Sequence, residues 1–322
     1  MRGYSSIRSR FAVAVTTISF ALPLFLSQSG CQSTSDGPMT IGAQVPAAGS
    51  VEQQGADGES NYPNPLAMNF GSRSNAPASP PPSITAKAAI LVDSSGRVLF
   101  EKNADTRRPV ASTQKLLLGI MIAERGGLNE TVTIQDPDTW AEPTVMGIKA
   151  GQTYTRGELL KTVLVRSSND IARALARDHS GSVSSFAANM NSRARSLGMT
   201  NSYFANASGL PTPAGQYSTA RDLAKLGKAA LRNPFVRDAI RTQSVNFRFS
   251  NGTTKTVYNT NQVLRSFPYC TGAKTGYTNA AGRCLVSSAT ANGKSVVAVI
   301  LGSTSPTVWK ESEALLRYGL GM

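Results

Sequence analysis

The apolar positions change their spacing twice along the chain. Ala88–Val92 is an unbroken apolar run, Asp93-Ser-Ser-Gly96 reads as a turn, and Arg97–Glu101 as a second strand, which predicts a hairpin. Beyond Ser112 the segment Leu116–Ala123 is apolar nearly all round, the mark of a helix buried inside a protein. Ser112 therefore sits at the first turn of a central helix, and Lys115, one turn on, shares its face. Thr155-Arg-Gly-Glu158 is a capping box that opens a helix through Val165, whose end delivers Ser167-Ser168-Asn169 into a connection. Further helices are predicted over Asp170–Asp178, over Ser184–Leu197 with Gly198 as the stop, and from Ser218 to about Leu231.

After that the period becomes two. Val245–Phe249 and Thr254–Tyr258 flank Ser250-Asn-Gly-Thr253, a hairpin. Cys270–Lys274, Arg283–Ala289 and Ser295–Leu301 read as three more strands, and Trp309–Tyr318 as a closing helix. Strands at both ends with helices between predict an α+β fold. The expected core is a five-stranded antiparallel sheet completed by both ends of the region, covered by helices, with an inserted helical lobe.

Before Ile84 the pattern is of another kind. Arg2, Arg8 and Arg10 precede the apolar run Phe11–Leu26, which contains Thr16, Thr17 and Ser19 and is short for a stable membrane span. Residues 1–31 thus read as an export signal. Ser29-Gly30-Cys31 resembles a bacterial lipoprotein cleavage site, although Gln28 stands where an aliphatic residue is usual. Lipidation of Cys31 and ordinary secretion with a cysteine near the new terminus both remain open. Residues 32–84, rich in Ser, Gly, Ala, Pro and Gln, lack apolar periodicity and cannot bury enough surface to offset ordering entropy, so they are expected to be a flexible tether. The globular region is 85–322.

Charge adds one constraint. The chain has 33 Lys and Arg against 19 Asp and Glu, a net +14, and the surplus lies in 85–322. Such a domain is drawn to polyanions. No nucleic-acid reading motif accompanies the charge, and an exported protein meets anionic wall polymers and lipid head groups first. No metal-ligand clustering is visible. Cys270 and Cys284 flank one turn, and either a disulfide across a hairpin or two small buried residues satisfies the sequence.

Three short motifs carry the chemistry: Ser112-Thr-Gln-Lys115, Ser167-Ser-Asn169 and Lys274-Thr-Gly276. Singly each is common. In this order, with the first opening a helix and the last on a strand, they form the signature of penicillin-interacting serine enzymes. A serine hydroxyl needs a base to become a nucleophile. The one histidine, His179, lies at a predicted helix C-terminus, where a positively polarised ring suits the helix dipole. Its surroundings offer neither a strand-to-helix elbow nor an acid partner for a Ser-His-Asp triad. Lysine serves instead if it is neutral, which requires burial or a neighbouring cation, since a free lysine titrates at about 10.4.

Lys115, in the first turn of an apolar helix, is then the expected base for Ser112. Lys274 is expected to remain cationic and to attract a substrate carboxylate. Thr275 and Ser167 add hydroxyls, and Asn169 holds a substrate amide or orients Lys115. The backbone N–H groups of Ser112 and Tyr277 are the expected oxyanion donors, with side-chain-free Gly276 permitting the approach.

These residues make the region resemble the serine-type D-Ala-D-Ala carboxypeptidases, the low-molecular-mass penicillin-binding proteins. The resemblance covers roughly 85–322. It includes Asn206-Ala-Ser-Gly-Leu210, Tyr217-Ser-Thr-Ala-Arg-Asp-Leu223, Gly272–Thr278 with Ala281-Gly282, and Ser287–Thr290. It implies a DD-peptidase/β-lactamase-like fold with no metal or organic cofactor. Its substrates would be peptidoglycan stem peptides, cut by attack of Ser112 on the penultimate D-Ala, with β-lactams as covalent inhibitors.

Ser168 departs from the family's common glycine at the centre of the second motif, and Cys270-Thr271 is unexpected before the Lys-Thr-Gly strand. A β-lactamase is the nearest alternative, but class A enzymes deacylate through a glutamate and none occurs between Asn169 and Lys274. A D,D-endopeptidase acting on crosslinks would use the same residues. A catalytically silent wall-binding module is the alternative of a different class.

Overall fold

The computed structural model describes residues 79–322, so the export-signal expectation and nearly all of the tether lie outside the described residues. The first hairpin pairs β1 (Ala88–Asp93) with β2 (Val98–Lys102). A 3₁₀ turn over Ala111–Gln114 then leads into helix α1 (Lys115–Arg125). A small sheet of β3 (Thr131–Thr133) and β4 (Thr153–Thr155) precedes α2 (Arg156–Arg166), α3 (Asn169–Ser180) and α4 (Val183–Ser196). Next come α5 (Ala220–Arg232), α6 (Pro234–Arg241) and the hairpin of β5 (Ser244–Arg248) with β6 (Thr254–Tyr258). The chain finishes through the short α7 (Val263–Ser266), β7 (Cys270–Thr278), β8 (Gly282–Ala291), β9 (Lys294–Ser303) and α8 (Thr307–Leu320).

The main sheet is five-stranded and antiparallel, in the order β2-β1-β9-β8-β7, so strands from both ends of the region complete it as expected. Its central strands are apolar on both faces because both are covered. Leu91, Leu285, Ala298 and Ile300 pack with Leu315 and Leu316 of α8, whereas Ile90, Val286, Val297 and Val299 join the core built on α1 and α5. The buried Glu311 of α8 accepts from the Ala86 amide at 3.0 Å and from Ser303 Oγ at 2.9 Å, tying the closing helix to the start of β1 and the neighbouring end of β9. Such a carboxylate is tolerated inside because its oxygens are matched by donors.

Local signals hold where they rest on capping. Thr155 Oγ1 accepts from the Glu158 amide and Glu158 accepts from the Thr155 amide, closing the box that starts α2. β7 runs four residues beyond the predicted end at Lys274, so the whole Lys-Thr-Gly run lies in an edge strand. The disulfide alternative is excluded, since both thiols are free. Register explains why. Cys270 faces Ala289 while Cys284 faces Gly276, so the two are offset along the ladder rather than opposed. His179 also differs from expectation. Its ring lies edge-on to Phe186 at 5.1 Å, and burial, then Arg125, push its pKa below the usual 6.5. It is a neutral packing residue, not a charged cap.

Candidate active site

Four stretches distant in sequence converge at the junction of α1 with β7. The 3₁₀ turn presents Ser112, and Lys115 follows as the first residue of α1, fully buried. Lys115 Nζ lies 2.7 Å from each of three oxygens: Ser112 Oγ, Asn169 Oδ1 and the carbonyl of Ser208. A neutral amine has two N–H donors and one lone pair. Asn169 Oδ1 and the Ser208 carbonyl can only accept, so the lone pair falls to the hydroxyl of Ser112. An ammonium could donate to all three; it is burial that favours the neutral form, whose lone pair is then left for the Ser112 hydroxyl proton.

Asn169 is held from behind. Its amide N–H bonds to the Thr144 carbonyl at 2.8 Å, and its side-chain amide donates to the Pro143 carbonyl, which leaves Oδ1 facing Lys115. Next to it the buried carboxylate of Asp170 accepts from the amides of Met146 and Gly147, fixing the loop that carries Pro143 and Thr144. Ser167 ends α2 in the left-handed region at φ 70°, which turns its hydroxyl toward the strand.

On that strand Lys274 is also buried, with Nζ 2.7 Å from Ser167 Oγ and 3.1 Å from the Thr275 carbonyl. Thr275 Oγ1 lies 2.6 Å from Thr260 Oγ1. Gly276 is pressed against the 3₁₀ turn: a Cβ there would stand 2.8 Å from the Val110 carbonyl and 2.9 Å from the Ser112 nitrogen. Tyr277 follows, half exposed, with the Arg283 guanidinium 4.5 Å over its ring. All eight predicted site residues therefore lie in this one region, on facing walls.

Burial and charge set the protonation states. Loss of water pushes the Lys115 amine well below its ordinary 10.5, the Lys274 charge pushes it further, and Asp170 opposes both. Burial alone brings Lys274 down to about 7. Like charges in one dry region cannot both persist cheaply, and Lys115, with the additional repulsion, gives up its proton first. Lys274 is accordingly a buried, readily neutralised amine behind the hydroxyls of Ser167 and Thr275, not a permanently charged one at the cleft surface.

A family model described as D-alanyl-D-alanine carboxypeptidase matches residues 74–305. The chain belongs to that family. It is 35% identical over 249 residues to a D-alanyl-D-alanine carboxypeptidase of Mycobacterium tuberculosis, covering 76% of this chain and 85% of that protein. It is 37% identical over 253 residues to the Escherichia coli carboxypeptidase DacC, covering 74% of this chain but only 62% of that longer protein. An Escherichia coli D-alanyl-D-alanine endopeptidase is 33% identical over 228 residues, with 68% and 72% covered. The solved structure of a Mycobacterium tuberculosis D-alanyl-D-alanine carboxypeptidase superposes with a TM-score of 0.73 at 34% identity, over 77% of this chain and 97% of that one.

The geometry adds parts that the three motifs do not name. Asn206 Oδ1 accepts from the amides of Ser208 (3.0 Å) and Gly209 (2.7 Å), and this local turn aims the Ser208 carbonyl at Lys115 and, at 3.1 Å, at Ser112 Oγ. Gly209, at φ +86°, lies so close to Ala111 that a Cβ would overlap its carbonyl. The cleft in front of Ser112 has a volume of about 430 Å³, and Arg166, Arg265 and Arg283 are its charged lining, with no acidic residue among them. Nothing in the sequence joined these arginines, which come from α2, α7 and β8. Among the described residues no three His, Cys, Asp or Glu side chains cluster as metal ligands.

Proposed function

We propose that this chain is a serine DD-peptidase that removes the terminal D-Ala from peptidoglycan stem peptides through an acyl-enzyme on Ser112. Lys115 Nζ takes the hydroxyl proton as Oγ attacks the penultimate D-Ala carbonyl. The oxyanion is held by the N–H groups of Ser112 and Tyr277. As the tetrahedral adduct collapses, the C–N bond breaks and the terminal D-Ala leaves as the amine, taking its proton from the Lys115 ammonium. Water then hydrolyses the ester. A β-lactam follows the first half of this path, but its opened ring keeps the leaving nitrogen attached.

The observation that carries this reading is the 2.7 Å approach of a fully buried lysine amine to the Ser112 hydroxyl. The substrate's place follows from β7, an edge strand whose unpaired side lies beside Ser112, where an extended peptide can add as a further strand. Its terminal carboxylate is received by Thr275, with the Lys274 amine behind that hydroxyl, in a cleft whose arginines keep the field positive.

Two measurements test it. A fluorescent penicillin should label the native protein at Ser112 and leave Ser112→Ala unlabelled; a native protein without label would instead indicate a silent wall-binding module. Mass spectrometry of a treated muropeptide digest should show stem pentapeptides shortened by one D-Ala. The likeness to the Escherichia coli endopeptidase favours a second reading, cleavage of D,D-crosslinks at the same site. Loss of crosslinked dimers with intact pentapeptides would select it. We further propose export to the periplasm or cell envelope, with Cys31 as a lipid anchor. Palmitate incorporation abolished by Cys31→Ser is the expected result, and unlipidated secreted protein would overturn the anchor.

A further inference from the structure

The segment 143–148 brings Pro143 and Thr144 into the wall of the cleft, and it and the start of α3 hold each other by reciprocal contacts. The segment gives carbonyls: that of Thr144 accepts from the Asn169 amide, and that of Pro143 from the Asn169 side chain. α3 gives a carboxylate in return. Asp170 Oδ2 accepts from the amides of Met146 and Gly147, each at 2.9 Å, and Oδ1 accepts from Met146 at 3.0 Å and from Ile171 at 2.9 Å. Thr144 at φ +66° and Gly147 at φ +85° both lie in the left-handed region, so the segment turns tightly enough for its amides to converge on one side chain.

Asp170 is only 1% exposed. Among the described residues its hydrogen-bond partners are all backbone N–H groups, and no lysine or arginine forms an ion pair with it. Burying a carboxylate without a counter-ion is costly, and the converging amides and the N-terminus of α3 offset that cost. A turn can be tied down by a neutral acceptor, as Asn206 does for Ser208 and Gly209. Here the acceptor is charged, and it follows directly on Asn169, whose Oδ1 stands 2.7 Å from Lys115 Nζ. Two charges act on that amine from the elements packed round it. Lys274 on β7 favours loss of its proton, and Asp170 on α3 favours keeping it. The groups bonded to it, Ser112, Asn169 and the Ser208 carbonyl, are uncharged.

We propose that Asp170 is a positioning residue for the acylation of Ser112: through the 143–148 turn it fixes Asn169, and through Asn169 the Lys115 amine, against the hydroxyl. The inference rests on the serine DD-peptidase reading. The carboxylate's charge adds a second effect. Opposed to Lys274, it sets how low the pH can fall before Lys115 is lost as a base.

Asp170→Asn tests both effects. Its amide nitrogen meets a backbone N–H where an oxygen was, so the turn loosens and Asn169 loses its backing. Acylation by a fluorescent penicillin should slow by about 10–10²-fold. The rising limb of the acylation–pH profile should move to lower pH, a change that loss of structure alone does not produce. Titration of ¹³Cε-labelled lysines by NMR should show the same downward move for Lys115, independently of turnover. Asp170→Glu keeps the charge but crowds the turn, so it should slow acylation by about tenfold with the limb in place, and it carries the test if Asp170→Asn does not fold. A native protein that takes no penicillin overturns the peptidase reading itself. A native protein that is labelled, with Asp170→Asn unchanged in rate and limb, or with Asp170→Glu at the native rate, overturns only the role of Asp170.

Discussion

The two walls of the cleft carry the same ingredients in different proportion. On each, a buried lysine amine stands 2.7 Å from a serine hydroxyl. Lys115 on the helix wall also meets two fixed acceptors, Asn169 Oδ1 and the Ser208 carbonyl, and feels the charge of Lys274. Lys274 on the strand wall has one further carbonyl, that of Thr275, and burial alone lowers it, to about 7. Identical residue types thus acquire different tasks from their surroundings. The more crowded amine becomes the base, and the less perturbed one keeps its proton longer behind Ser167 and Thr275.

Removing the helix-wall amine should break this comparison most severely. Lys115→Ala is expected to slow penicillin acylation by about 10²–10⁴-fold, followed as the mass of the acyl-enzyme, with the fold retained. Undiminished labelling would remove Lys115 as the base. Closing the gap between the walls comes next. Gly276→Ala puts a methyl within 2.9 Å of the Ser112 nitrogen, so the strand must retreat from the oxyanion corner. A loss of about 10²-fold in acylation is expected, comparable to losing one oxyanion donor. Wild-type rates for this variant would contradict the proposed corner.

Lys274→Gln sharpens the comparison instead of destroying it. With the neighbouring cation gone, Lys115 should hold its proton to higher pH, so the rising limb of the acylation–pH profile should move upward. A limb that stays put or moves down would show that the two amines do not communicate.

The smallest effect is on stability. Lys274 is neutral above about 7 in the fold but charged up to about 10.5 when unfolded, so unfolding takes up a proton in that window and stability rises with pH from 7 to 9. Lys115, depressed well below 10.5, adds to this rise; above 9 the rise levels off, because Cys270 and Cys284 stay protonated to about 11 when folded while unfolded thiols ionise near 9.0, and these two protons offset those of the two lysines. Each proton sets a limiting slope of about 1.4 kcal/mol per pH unit. Denaturant melts across this range would show stability rising from 7 and levelling off above 9; a monotonic fall from 7 would contradict the burial of the two lysines.

The fold was legible in the letters where one physical signal dominated. The all-apolar β1, the apolar α1 and the capping box at Thr155 each announce themselves, and the three motifs gathered as spacing implied. Short elements were not legible. β3 and β4 have three residues each, and α6 begins at Pro234 directly after Asn233, where a break was equally consistent. The disulfide alternative arose because the offset between Cys270 and Cys284 depends on the strand register, which flanking residues do not reveal. The Ser208 carbonyl escaped notice because it is a backbone group placed by Asn206, and Arg166, Arg265 and Arg283 because three separate elements bring them together.

The central claim is that Lys115 is uncharged when Ser112 attacks. Titration of ¹³Cε-labelled lysines by NMR, with Lys115→Arg assigning the resonance, measures this directly. The account predicts that Lys115 loses its proton well below the ordinary 10.5 and before Lys274 does. A Lys115 resonance that remains that of an ammonium up to ordinary lysine pH, or that titrates after Lys274, would contradict it.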